Sequence, residues 1–197
     1  MDKIKIIGGN RLEGKIYISG AKNAALPLIC ASLLTDETIT LTNMPALSDI
    51  RSMNALLEQM GTQIDSFDDF LDGHETKTYS YRTQKLTNLV APYDYVRKMR
   101  ASYYVLGPVL AREGHVQLSL PGGCAIGARP MDIHLSSLEQ MGAKIEIKNG
   151  YVHADINGKL KGAHITFHTA SVGATCNILM AATLAEGETI IENAAKE

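Results

Sequence analysis

The chain repeats itself. "EGKIYIS" at 13–19 and "EGHVQLS" at 113–119 share Glu-Gly, an alternating apolar segment and a serine, and "KGAHITF" at 161–167 is a third version. "LLEQMGTQI" at 56–64 returns as "SLEQMGAKI" at 137–145, and "ASLLTDETITL" at 31–41 as "ATLAEGETIIE" at 182–192. Self-similarity constrains the fold before any other property, because a unit that cannot bury its own apolar face must stack on its copies. The expected unit is a strand, a glycine or polar turn, a helix, a second strand, a second helix ending in Met-Gly, and a further strand. Units begin near 13, 113 and 161.

Local patterns agree with this reading. "KIYIS" and "HVQLS" alternate with period two, as half-buried strands do. Ile50, Met53, Leu56, Leu57 and Met60 fall at helical spacing, with Ser48 as the expected N-cap and Gly61 as the stop. "RPMDIHLSSLEQMG" repeats the scheme, with Pro130 suited to a first helical turn and Gly142 to the stop. Strands alternating with helices inside a repeating unit predict an α/β fold. The third unit stops before any counterpart of "LLEQMG", so the chain is expected to be the N-terminal part of a longer polypeptide. Residues 66–89 are polar and turn-rich, and "LDGHE" predicts a hairpin tip on a solvated β-excursion.

The composition narrows the function classes. With 45% hydrophobic and 20% charged residues the chain reads as globular, and a net charge of −2 points to neither nucleic acid nor an anionic membrane. The longest apolar run, residues 24–34, is too short to span a bilayer and carries Pro27. Three cysteines with no CxxC pair fit reduced thiols in a cytoplasmic protein.

Three places could carry chemistry. Cys124 follows Pro-Gly-Gly in a loop that ends at Arg129. A thiol near a cation or a helix start ionises more easily, which suits a proton donor or nucleophile; the alternative is a small buried hydrophobe. Cys30 and Cys176 lie in apolar helical patterns, and for them the buried reading is expected. Lys22, in "SGAKNAALPL", stands at a strand-to-helix junction. The Cys124 loop and "ASVGAT" are read as the equivalent junctions of the other two units. Helix-opening N–H groups with a lysine make an anion site; a solvated lysine, with Asn23 as a helix cap, is the other reading. The third place is a helix expected over 93–112, with Val96, Met99, Tyr103, Leu106 and Leu110 as its buried stripe. Its Arg97, Lys98 and Arg100 are either a solvated face or a phosphate or carboxylate clamp. There is no GxGxxG, no P-loop and no HExxH, so neither a dinucleotide nor a metal cofactor is expected.

"GAKNA" at 20–24, "YVRKMRAS" at 95–102, "LPGGCAIGARPMDIHL" at 120–135, "SVGAT" at 171–175 and "AATLAEGETIIENAAKE" at 181–197 together resemble the enolpyruvyl transferases that act on UDP-N-acetylglucosamine. The resemblance covers the whole chain. It implies two inside-out α/β domains of three units each. Residues 1–20 would form a leading strand packed on a second domain, and 21–197 the domain that carries the cysteine loop. It implies a metal-free addition and elimination that moves enolpyruvate from phosphoenolpyruvate to the sugar nucleotide, the first committed step of peptidoglycan synthesis. Cys124 would be the proton donor and the thiol that fosfomycin alkylates. Lys22 and Arg129 would hold phosphoenolpyruvate, and Asn23 and Arg100 would contact the sugar nucleotide. Arg129, Pro130, Met131, Asp132 and Ile133 would line the uridine side. Thr169, Ala170, Ser171, Val172 and Gly173 would face the diphosphate and uridine. A non-catalytic sugar-nucleotide module is the alternative of another class. A shikimate-type transferase is a third reading, which the cysteine loop disfavours.

Overall fold

Apolar residues at helical and strand spacing lay down the elements of three successive units, seen in a computed structural model that describes residues 3–71, 74–97, 99–120 and 131–196, with the side chains at 71, 74 and 100 outside that description. The first unit holds helix α1 (Lys22–Ala31), a 3-10 turn (Ser32–Leu34), strand β1 (Ile39–Met44), helix α2 (Ser48–Met60) and strands β2 (Gln63–Leu71) and β3 (His74–Arg82). The second holds β4 (Val90–Ala91), α3 (Tyr93–Val96), a 3-10 segment (Arg100–Val105), α4 (Leu106–Glu113), β5 (His115–Ser119), α5 (Asp132–Gln140), β6 (Lys144–Lys148) and β7 (Tyr151–Asp155). The third holds β8 (His164–Thr166), α6 (Val172–Ala182) and β9 (Ile190–Glu192).

The sheets run β1-β3-β2, β4-β5-β7-β6 and β8-β9. β4 pairs parallel with β5, and β8 parallel with β9, so each pair is closed by a helix in the manner of a βαβ unit. The other pairs are antiparallel. Helix α6 packs on α4 and touches α1, α4 lies against the 3-10 turn that ends α1, and α2 and α5 lie against α1 and α6 respectively. The 3-10 segment that leads into α4 lies against α1, and Arg112, in the last turn of α4, donates to the carbonyls of Leu33 and Thr35 beyond the end of α1.

Where the signal is local, the expected elements form. Ile50, Met53, Leu56, Leu57 and Met60 are all buried on α2, and Gly61 closes that helix in the left-handed region at φ 109°. Gly142 follows α5 with φ 94°. β2 and β3 form the long hairpin expected of the polar segment; its tip, 72–73, lies outside the described residues.

Three expectations need correction, and the leading strand has no partner among the described residues. Residues 3–21 form neither helix nor strand, and Ile16 and Ile18 are each 83% exposed. Alternation makes a strand only beside a sheet edge, and no described residue pairs with 15–19. The repeat also takes another register. "HVQLS" follows helix α4, as β1 follows α1 and β9 follows α6, so its counterpart is "ITL" and not "KIYIS". The cysteine loop therefore corresponds to the β1–α2 connection, and the segment between β4 and α4 is the counterpart of "ASVGAT".

The stretch 93–112 is not one helix. Its stripe is buried as expected, but Met99 is extended (φ −150°, ψ 112°) and the chain restarts as a 3-10 segment. Pro108 has no N–H and falls in the first turn of α4, where none is needed; a helix running through it from 93 would lose a bond. Finally, Ser48 and Asn23 cap nothing. α2 is capped by Leu47 and α1 by Ala21, neither with a side-chain bond.

Candidate functional site

Cys124, Arg129 and Pro130 lie outside the described residues, as does the side chain of Arg100, whose backbone opens the 3-10 segment. The remaining candidate residues fall at helix starts. Lys22 is the first residue of α1, with Asn23 exposed beside it. Met131 and Asp132 open α5, with Met131 buried and Asp132 exposed. Thr169 and Ala170 are exposed in the turn before α6. Ser171 is the N-cap of that helix, and its hydroxyl accepts from the Ala174 N–H at 3.3 Å. Val172 and Gly173 form the first turn of α6.

The starts of α5 and α6 come together. His168 Nε2 lies 3.6 Å from Asp132 Oδ2, across the two turns. His134, half a turn further along α5, is buried, and a Cβ on Gly173 would stand 3.3 Å from its Nε2. So 131–133 and 169–173, which the sequence resemblance assigned to one ligand, are neighbours. Lys22 goes elsewhere: its Nζ is 2.8 Å from Asp49 Oδ2, in the first turn of α2.

The start of α1 is held tightly. A Cβ on Gly20 would stand 1.9 Å from the Asn43 carbonyl oxygen and 3.1 Å from Pro45 Cδ, so the chain leading to Lys22 is wedged against the end of β1. Gly20→Ala is expected to lower stability by about 1–3 kcal/mol, the usual cost of forcing extra bulk into a packed contact. Urea unfolding reads it, and an unchanged midpoint would mean that the segment swings aside.

The two described cysteines are poor nucleophiles. Cys30 is fully buried, with its thiol 3.5 Å from Met53 Sδ, and burial pushes its pKa up. Cys176 is only half-buried, which corrects the expectation of a buried residue, yet burial raises its pKa too. Among the described residues no group of three His, Cys, Asp or Glu side chains gathers as a metal site, and no helix is long and apolar enough to cross a membrane.

The sequence reading missed Asp49, His168, His134 and Asn177. Asp49, beside Ser48 at a helix start, reads from sequence as ordinary capping chemistry. Asn177 sits in an apolar helical pattern and gives no local sign of its three partners.

The sequence family described as EPSP synthase (3-phosphoshikimate 1-carboxyvinyltransferase) matches residues 6–197. The chain belongs to the EPSP synthase family. Among curated members, the UDP-N-acetylglucosamine 1-carboxyvinyltransferase of Paramagnetospirillum magneticum is 57% identical over all of this chain, and that of Acinetobacter baylyi 55%. The chain spans 46% and 45% of their respective lengths. The fold matches the enolpyruvyl transferase NikO from Streptomyces tendae with a TM-score of 0.72 at 19% identity, over 93% of this chain and 41% of that one. It matches an EPSP synthase from Acinetobacter baumannii with 0.65 at 21%, over 90% and 40%. The expected inside-out α/β architecture is thus the EPSP synthase fold.

Proposed function

We propose that the complete protein transfers enolpyruvate from phosphoenolpyruvate to the 3-hydroxyl of UDP-N-acetylglucosamine and releases phosphate. The observation that carries this reading is identity of 53–57% across the whole chain to proteins that bear the matching name. The retention of Lys22, Cys124 and Arg129 in one chain supports it.

In this mechanism the sugar oxygen bonds to C2 of phosphoenolpyruvate while Cys124 gives its proton to the C3 methylene, forming a tetrahedral ketal. A C3 proton returns to the Cys124 thiolate as phosphate departs, which restores the double bond. Lys22 and Arg129 offset the charge of the phosphate and carboxylate, and Arg129 is suited to two-pronged contact. Asn23 and Arg100 contact the sugar nucleotide, with Arg129, Pro130, Met131, Asp132 and Ile133 on the uridine side. At α6 the Ser171 hydroxyl is taken by the Ala174 N–H. The free N–H groups of Val172 and Gly173, with Thr169 and Ala170 ahead of them, suit the diphosphate. The residues use neither metal nor cofactor, and the setting is the cytoplasmic synthesis of peptidoglycan.

The test is phosphate release from phosphoenolpyruvate in the presence of UDP-N-acetylglucosamine, against 3-phosphoshikimate as the competing acceptor. Release with the second acceptor alone would overturn the assignment. The 197-residue chain by itself is expected to stay at background, because the resemblance puts the base that takes the sugar proton in the other half. Fosfomycin should label Cys124 and leave Cys30 and Cys176 unmodified, since burial keeps both of those thiols protonated. Mass spectrometry of a digest reads this, and an adduct on either described cysteine with none on Cys124 would refute it.

A further inference from the structure

We propose that Asp49 is the positioning residue for Lys22, holding its ammonium at the start of α1 with two N–H bonds turned outward to an anionic ligand. This rests on the reading of Lys22 as a phosphoenolpyruvate contact.

The pair is direct, at 2.8 Å, with the two side chains 44% and 33% exposed. Exposed pairs of this kind add little to stability, so stability is a poor reason for it. The surroundings are specific. No acidic residue stands in the first turn of α1, where the helix dipole disfavours a cation. Asp49 is the acidic residue in the first turn of α2, where the dipole favours it. One ammonium and one carboxylate therefore sit at two positive helix ends, and the remaining field favours a further anion.

The backbones that carry the pair are also fixed. Leu26, Ile29 and Cys30 of α1 are buried, as are Ile50 and Met53 of α2, and Cys30 meets Met53 between the helices. Gly20 wedges the entry to α1 against Asn43. An ammonium has three N–H donors. Among the described residues Asp49 takes one and leaves two, so the carboxylate aims the group without consuming it.

The experiment uses the complete protein with Lys22→Ala, Asp49→Ala, Asp49→Asn and the Lys22→Ala/Asp49→Ala double variant. Each is assayed for kcat and for KM toward each substrate, with a thermal melt. Asp49→Ala is expected to raise the KM for phosphoenolpyruvate about tenfold, within the usual range of coupling between contacting residues. The KM for UDP-N-acetylglucosamine and the melting temperature should not change. Asp49→Asn keeps the shape and one acceptor oxygen and should lose less, which guards against a folding artefact. In the Lys22→Ala background, Asp49→Ala should add nothing.

An equal loss in that background means Asp49 acts on something other than Lys22, and overturns the proposal. So does an unchanged KM for phosphoenolpyruvate in Asp49→Ala when Lys22→Ala raises it. If Lys22→Ala itself leaves that KM unchanged, the reading of Lys22 falls, and the role of Asp49 with it.

Discussion

Arg112→Ala is expected to lower the stability of the protein by about 3 kcal/mol, and the melting temperature by roughly 6–12 °C for a chain of this size. The guanidinium donates to four backbone carbonyls: Leu33 at 2.9 Å, Thr35 at 3.0 Å, Thr83 at 2.7 Å and Gln84 at 3.2 Å. Its side chain is only 15% exposed. Those carbonyls lie past the ends of α1 and of β3, so one side chain of the second unit ties down two exits of the first. Bonds from a charged donor are worth more than neutral ones, and truncation leaves part-buried acceptors without a partner. Arg112→Lys should recover less than half of the loss, because a single ammonium cannot span the fork. Urea unfolding of the three proteins decides it. A loss below about 1 kcal/mol would mean that water replaces the guanidinium at little cost.

Asn177→Ala should cost on the order of 2–4 kcal/mol, as three buried bonds go at once. Asn177 is fully buried; its Oδ1 accepts from Gly107 N–H at 2.7 Å, and its Nδ2 donates to the Tyr103 carbonyl at 3.1 Å. Those two bonds orient the amide, so Nδ2 also faces His134 Nδ1, at 3.0 Å, as donor to acceptor. His134 then carries its proton on Nε2, toward Gly173. Asn177→Asp tests the need for a donor at that position. A carboxylate can still accept from Gly107, but it sets an acceptor against the Tyr103 carbonyl. Burial raises the pKa of such an acid. The unfolded state then gives up its proton more readily than the folded state, and stability is regained as pH falls. Asn177→Asp should therefore be at least as unstable as Asn177→Ala at pH 7 and should gain on it toward pH 5, in paired unfolding curves. A gap that does not move with pH would mean that the carboxyl keeps an ordinary pKa there, with His134 Nδ1 donating to it.

Much of the fold was legible in the sequence because it is local. The stripe on α2 is decided by spacing alone, and Gly61 and Gly142 stop their helices because an αL position disfavours a side chain. The β2–β3 hairpin needs only a polar turn between two runs that pair with each other. Of the candidate site, the placement at helix starts was legible. The resemblance brought 131–133 and 169–173 to one ligand, and the structure sets the starts of α5 and α6 side by side.

What failed depends on neighbours that a sequence window does not hold. "KIYIS" has the alternation of a strand, but no described residue pairs with it; the resemblance assigns its partner to a second domain, and its isoleucines are exposed here. The motif pair at 13–19 and 113–119 looked like one part used twice, yet only the second follows a helix. Lys22 and Asp49 are far apart in sequence, and they meet because α1 and α2 bury their apolar faces against each other. Arg112 and Asn177 look like surface and core residues of no account until the carbonyls and N–H groups of other units arrive around them. The sequence by itself determined most of the elements and the family, because periodicity, turn chemistry and motif are properties of short segments. The tertiary structure alone decided the register of the repeat and the partner of each polar group, because a buried donor or acceptor is satisfied by whatever packing brings to it.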